Sequence, residues 1–306
     1  MTPDTLAQSC GLDFTKYVIA NCHTHRVFVA SPSGERYTVN TPTGWFWLQC
    51  TIAAVSLCLG IRIGKGPTRR IALWLILGLF MLVCWAWIKY HPALAVHAIP
   101  LPILYYIEGT AAVPSFMLII GIAYTRSRLP RQKRLAVLSI LLGGIYFVHG
   151  GIWMLQSTPK KSFANMVSGS VVLQSQDYSC VPAACATALR GLGVSATELE
   201  MAELTRVRPG TGATMIRAAE ALQKKLGQNV RTHILELPFD QLTSVEPPML
   251  TPLQVDLSRR HMVVLVRVGP DGAWVADPMR GMVYMSRQEM RQSFTNRVIV
   301  FESVGG

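Results

Sequence analysis

Charge is what this chain has least of. Asp, Glu, Lys and Arg make up 15% of its 306 residues, where an average soluble domain carries about a quarter. Half of the residues are hydrophobic. That deficit excludes an ordinary soluble chain throughout and points to a membrane protein in at least one part. Other things are missing too. There is no GxxxxGK[ST] stretch, so no phosphate-cradling loop for ATP is expected. There is no HExxH zinc signature and no GxSxG nucleophile elbow. No CxxC pair occurs, which sets aside a zinc ribbon or a thioredoxin-type redox motif. The first residues lack the basic start and apolar core of a signal peptide. No cofactor is expected.

The cysteines number seven: Cys10, Cys22, Cys50, Cys58, Cys84, Cys180 and Cys185. Cys50, Cys58 and Cys84 fall in apolar runs, so the set is not a disulfide scaffold. Cys180 and Cys185 are five apart on a predicted helix and point in different directions. Cys10 and Cys22 can pair if their segment lies outside the cytoplasm. Cys22, His23 and His25 form a CHTH cluster that invites a metal, but no further ligand cluster completes it.

Residues 1–44 are polar and carry two short strand-like runs, at 17–20 and 26–29. From Trp45 the character changes. Apolar runs near the 20 residues that a helix needs to cross the hydrocarbon predict about four spans: 45–62, 71–89, 103–125 and 135–156. A re-entrant piece is possible at 93–102. The net charge of +12 concentrates between them. Arg62, Lys65, Arg69 and Arg70 separate the first two spans, and Arg126, Arg128, Arg131, Lys133 and Arg134 separate the last two. The loop between spans two and three has Lys89 near its start. Cytoplasmic loops carry the Lys/Arg excess, which places both basic turns inside and both termini outside. Topology thus accounts for much of the charge, and no nucleic-acid partner is expected. Trp45, Trp47, Trp153, Tyr90, Tyr105 and Tyr106 lie near span boundaries, as interfacial anchors do.

Beyond a linker at 158–170 the sequence reads as soluble. Helices are expected at 179–192, from Ser195 (Ser-Ala-Thr-Glu, a capping-box-like start) and at 213–226. Strands follow at 229–237, 249–255, 261–268, 272–276 and 297–302, with a short helix at 286–294. Helices first and an antiparallel sheet afterwards make an α+β arrangement. The expected organisation is an extracytoplasmic segment at 1–44, a transmembrane domain at 45–157 and a soluble domain at 158–306.

Cys180 opens the first soluble helix. Backbone N–H groups there point at the sulfur, and the helix dipole favours a negative charge on it. Read alone, a cysteine at a helix start is more often a buried structural residue. Gln174, six residues upstream, can reach back to the same helix end. A catalytic thiol also needs a base, and the base an orienting partner. His261 begins a predicted strand, and Asp277 ends the next one. The Pro270-Asp271-Gly272 turn between them makes the two strands antiparallel neighbours. Both residues then fall at the same end of one hairpin, the geometry of a His–Asp pair.

Gln174, Cys180-Val181-Pro182-Ala183-Ala184, His261-Met262-Val263-Val264-Leu265 and Asp277-Pro278 occur in that order over residues 168–304. In this the segment resembles the double-glycine leader peptidases, the papain-like cysteine peptidase domains of bacteriocin-processing ABC transporters. The resemblance implies a papain-like peptidase fold and a peptide or protein substrate, with cleavage after a Gly-Gly-type pair. It also implies Cys180 as nucleophile, His261 as base, Asp277 as orienter and Gln174 in the oxyanion hole. Two departures stand out. Ser179-Cys180-Val181-Pro182 replaces the common Asp-Cys-Gly-Pro, and the transporter and ATPase parts are absent from this sequence. The expectation is a peptidase on a lipid-embedded anchor in the bacterial inner membrane, with the peptidase outside the cytoplasm. Two other readings compete with it. One is a tethered peptide-binding module without catalysis. The other is a transporter or sensor built on intramembrane Glu108 and His97. Gly305-Gly306 resembles the cleavage pair, but terminal glycines are commonly a frayed end.

Overall fold

A computed structural model describes residues 18–21, 26–30, 36–38, 42–156, 163–164, 166–256 and 259–303. The expected Cys10–Cys22 pair, the CHTH cluster and Gly305-Gly306 lie outside the described residues. The chain divides into two compact units. One spans 1–90 with 106–156, and the other 91–105 with 157–306.

In the first unit, β1 (Val18–Asn21), β2 (Arg26–Ala30) and β3 (Arg36–Thr38) form a three-stranded antiparallel sheet in that order. Three helices among the described residues are long and apolar enough to cross a membrane. They are α1 (Pro42–Gly64), α2 (Thr68–Tyr90) and α6 (Pro130–Gly151, extended by a 3₁₀ turn at Ile152–Met154). The span expected at 103–125 departs from a single helix. The sequence 91–112 instead breaks into α3 (Pro92–Ala98), α4 (Leu101–Ile107) and a turn at 108–112, before α5 (Val113–Arg126) begins. Prolines explain the breaks: Pro92 and Pro114 each occupy the first turn of a new helix, where a missing N–H costs nothing. At the turn, Gly109 meets Gly150 backbone to backbone, an approach that a Cβ on either glycine would block. Glu108, placed by the sensor reading in the membrane, sits in this turn.

Small residues set the packing of this unit. A Cβ on Gly60 would fall on the Leu118 carbonyl, and one on Gly121 would lie 2.6 Å from the Leu57 carbonyl. So α1 and α5 approach with almost no side chain between them, the mode that membrane helices use where hydrophobic exclusion gives no drive. Thr125 completes the seam, donating to the Ile61 carbonyl at 3.3 Å. Ile71, Leu118 and Ile122 are buried beside it. The opposite side of α2 exposes Leu73, Ile76, Leu79, Phe80 and Val83. An apolar outer surface of this kind suits a lipid surrounding. Trp45, Tyr106 and Trp153 stack in a row, with centroids 5.2 and 6.2 Å apart.

The second unit is a helix-and-sheet domain. After a two-stranded ribbon, β4 (Val167–Ser168) and β5 (Val171–Val172), come α7 (Cys180–Gly191), α8 (Glu198–Thr205) and α9 (Met215–Leu226). The remaining strands are β6 (Val230–Glu236), β7 (Met249–Gln254), β8 (Arg260–Gly269), β9 (Gly272–Asp277), β10 (Gly281–Ser286) and β11 (Arg297–Ser303). They build one antiparallel sheet in the order β10-β9-β8-β7-β11-β6, with α10 (Arg287–Ser293) joining β10 to β11. Its central strands are apolar on both faces. Met249, Leu253, Val263, Leu265 and Val275 pack with Leu242 and Met290 on one side. Leu250, Met262, Val264, Ala276 and Ile299, which alternate with them, are buried as well. β10 lies outside the sequence-predicted strands, because Met282 and Tyr284 remain exposed at a sheet edge. The helix expected from Ser195 starts at Glu198 instead. Thr197 is its N-cap, accepting from the Glu200 N–H.

The second unit also includes residues 91–105. The Tyr105 hydroxyl donates to the Leu204 carbonyl at 3.1 Å, and the Lys224 ammonium lies 4.7 Å over the Tyr105 ring. His91 Nδ1 stands 3.8 Å from Glu236.

Candidate active site

Cys180 is the first residue of α7. The N-cap Ser179 makes no side-chain cap, and Pro182 has no N–H to offer. Ala183 N–H bonds back to the Ser179 carbonyl. The first turn therefore presents the Cys180 and Val181 amides at a helix N-terminus, where partial positive charge collects. Cys185, five residues on, is fully buried, and burial pushes its thiol pKa up. Of these two cysteines, Cys185 belongs to the core and Cys180 is partly accessible.

His261 and Asp277 meet as the hairpin predicts. His261 Nε2 lies 2.7 Å from Asp277 Oδ1. The second carboxylate oxygen accepts from Arg280 Nε at 2.7 Å, and Oδ1 also accepts from the Met279 N–H at 2.8 Å. Asp277 is 1% exposed, and the His261 side chain 12%. Nε2 is engaged by Asp277, and the Cys180 thiol is near enough to the ring to affect its pKa. One imidazole thus answers to both thiol and carboxylate. Burial by itself would lower the His261 pKa. The Asp277 hydrogen bond, the neighbouring Cys180 and the Asp277 charge outweigh it and raise the value from 6.5 to about 9. Burial likewise opposes ionisation of Asp277, but its bonds from His261, Met279 and Arg280 hold it well below the usual carboxylate range.

A β-bulge makes this meeting possible. Near the turn, Gly269 pairs with Gly272 and Arg267 with Trp274. Past Val266 the register shifts by one, so that Leu265 faces Val275 and Val264 faces Ala276. One further step puts Asp277 opposite Val263, two residues from His261 and on the same face. Were Val266 paired in the turn's register instead of bulged, Asp277 would face Val264, and His261 would point to the other side of the sheet.

Gln174 is held by the same turn. Its N–H donates to the Pro278 carbonyl at 2.8 Å. Its side-chain amide donates to the Gln176 carbonyl at 2.9 Å, one turn short of the helix end that the sequence reading aims it at. Its Oε1 is buried without a hydrogen-bond partner. Sequence reasoning missed Glu198 and Arg280. Glu198 reads as part of a helix cap, yet it is fully buried against residues 175–179. Arg280 carries one weak signal, its place three residues after an Asp in an Asp-Pro turn. Among the described residues no group of three or more His, Cys, Asp or Glu is placed to hold a metal.

Comparison with known proteins converges on this unit. Residues 168–304 match the peptidase C39 family. An uncharacterized protein of Methanothermobacter thermautotrophicus is 31% identical over 134 residues, 43% of this chain and 87% of the relative. One from Methanothermobacter marburgensis is 33% identical over the same shares. Solved structures with a similar arrangement include a double glycine motif protease from an AMS/PCAT transporter in complex with the leader peptide. It is 18% identical, the match covers 44% of this chain and 91% of that one, and the TM-score is 0.39. The peptidase domain of Streptococcus ComA is 19% identical, over 44% and 98%, with a TM-score of 0.40. Through its helix-and-sheet unit, the chain belongs to the peptidase C39 family.

Proposed function

We propose that this protein is a membrane-anchored cysteine endopeptidase whose nucleophile is Cys180. The single observation that carries the reading is the His261 ring, held at 2.7 Å by a buried, ionised Asp277 and near enough to Cys180 for the thiol to act on its pKa. A base held at about 9 is an imidazolium at neutral pH, the partner that a thiolate needs. In the mechanism, the Cys180 sulfur forms a bond to the scissile carbonyl carbon and the π pair moves to oxygen. The Gln174 amide and the Cys180 N–H receive that charge. The tetrahedral adduct collapses, the C–N bond breaks, and His261 protonates the leaving amine. A water, deprotonated by His261, then splits the thioester and releases the carboxylate product and the thiol. Asp277 fixes the ring tautomer throughout.

The substrate is a peptide or protein, cut after a Gly-Gly-type pair as the family resemblance implies. The apolar helices are the anchor in this reading, and the Lys/Arg excess at 62–70 and 126–134 supports a peptidase unit outside the cytoplasm. Cys180→Ala tests the assignment: cleavage of a peptide ending in Gly-Gly-aminomethylcoumarin is expected to vanish, while the variant keeps the wild-type circular dichroism. Full activity in that variant would sink the model. A wild-type protein that binds peptide without cleaving it, and whose Cys180 resists thiol-directed peptidase inhibitors, would favour a tethered binding module.

A further inference from the structure

We infer that Glu198 is a positioning residue for the oxyanion hole, acting on Gln174 through Ser179 and Gln176; this rests on the catalytic reading above. Glu198 is the first residue of α8, and both it and Ser179 are 0% exposed. A carboxylate buried so completely must be bonded on both oxygens, and this one is. Oε1 accepts from the Ser175 N–H at 2.9 Å and from the Ser179 hydroxyl at 2.6 Å, and Oε2 accepts from the Ser175 hydroxyl at 2.6 Å. None of these bonds serves the helix that Glu198 begins. All go to the turn that carries Gln174 at one end and Cys180 at the other.

The chain of bonds continues from there. The Ser179 hydroxyl has one hydrogen. The Gln176 carbonyl lies 2.9 Å away and the carboxylate 2.6 Å, so the charged, closer acceptor takes it. Its oxygen then receives the Gln176 N–H at 3.1 Å. That ties down the N–H side of Gln176, and its carbonyl, in the next peptide unit and also accepting the Ser179 N–H at 3.1 Å, receives one N–H of the Gln174 amide at 2.9 Å. With one amide hydrogen held on a fixed carbonyl, the other has one direction in which to donate. Glu198 also explains why Ser179, a favoured capping residue, leaves the first turn of α7 uncapped: its hydroxyl is committed to the carboxylate, and the Cys180 and Val181 amides stay open.

The experiment separates oxyanion stabilisation from thiol reactivity, using full-length protein in detergent. A Gly-Gly peptide aldehyde takes the Cys180 sulfur onto its carbonyl carbon, leaving an oxyanion for the Gln174 amide. Iodoacetamide alkylates the same sulfur with loss of iodide and forms no oxyanion. Glu198→Ala is expected to lower kcat for the coumaryl peptide about 10- to 100-fold, since a misplaced donor costs less than the removal of one. KM should stay within about twofold, and aldehyde affinity should fall in step with kcat, because both report the same donor. The rate of Cys180 alkylation, followed by mass spectrometry of its peptide, should hold within about twofold, because Cys180, His261 and Asp277 are untouched. Glu198→Gln keeps an acceptor at the Oε1 position and is expected to retain kcat within about fivefold. Ser179→Ala cuts the relay without emptying the Glu198 site and should reproduce the alanine signature even if Glu198→Ala folds poorly. A Glu198→Ala enzyme with wild-type kcat, alkylation falling in step with kcat, or a glutamine variant as poor as alanine would each overturn the inference. A wild-type protein that neither cleaves the peptide nor binds the aldehyde overturns the catalytic reading and this one together.

Discussion

Asp277 spends both of its oxygens on fixed partners, so its effect on His261 is one of orientation and of charge. Asp277→Asn keeps the size and removes the charge. It should leave the protein folded and lower kcat by about 10²–10⁴, as the loss of an orienting carboxylate does where a ring must hold one tautomer. The same variant should move the alkaline limb of the pH–rate profile. In the wild type, kcat/KM is expected to fall as pH rises through about 9, where His261 loses its proton; without Asp277 that limb should shift to lower pH. Stability follows from the two shifts with opposite sign. The raised His261 pKa gives a contribution that is complete below 6.5 and lost as pH climbs through about 9. The depressed Asp277 pKa gives one that is present above its ordinary 3.8 and lost as pH falls through the lower folded value. Thermal melts of the wild type should therefore be highest between 3.8 and 6.5 and decline toward pH 9. In Asp277→Asn the decline should flatten, and an unchanged slope would contradict the assignment. At this scale the sequence showed residue types and spacing, hence Cys180, His261 and Asp277. It hid Glu198, because a Glu after a Thr at a helix start looks like a cap, and burial is invisible in one dimension.

Among the elements, the β8–β9 hairpin holds the most information per residue. Its strands and turn were legible from alternation and from Pro270-Asp271-Gly272. Its bulge was not, because Val266 is one more apolar residue in an apolar strand. Deleting Val266 should close the ladder with Leu265 still opposite Val275, so that His261 keeps the face it shares with Asp277. The expected result is a folded sheet by circular dichroism with cleavage within about tenfold of the wild type, whereas a His261 turned to the other face would lower it at least about 100-fold. The helices give a second lesson. Hydropathy located α1, α2 and α6 but ran straight through 103–125, because apolar content alone carries no record of Pro114 or of the Gly109–Gly150 contact. Gly121→Leu, by contrast, should strain the α1–α5 seam. We expect a loss of about 1–3 kcal/mol, the usual effect of overpacking, read as a lower midpoint of thermal unfolding in detergent. Gly144→Leu, where a Cβ meets nothing within 4 Å, should leave the midpoint unchanged.

For the molecule as a whole, the proposed topology makes a prediction of its own. A periplasmically active reporter such as alkaline phosphatase, fused after Gly306, should be active, and one inserted in the basic turn near Lys65 should be silent. The reverse pattern would return the peptidase unit to the cytoplasm. The orientation is read from Lys and Arg alone; one fold-level fact bears instead on the number of crossings, without any reference to charge. Residues 91–105 and 157–306 form one compact unit, joined by Tyr105 to Leu204 and by Lys224 to Tyr105. A thread that leaves a room and later returns to it has passed through the wall an even number of times. On the proposed anchoring, α6 is one passage between Tyr105 and Ser157, so α5 must be the other. Its 14 residues reach only about 21 Å at 1.5 Å per residue, less than the roughly 30 Å of hydrocarbon. The bilayer beside α5 is then expected to thin or to admit water, and the enzyme to prefer thin membranes over thick ones.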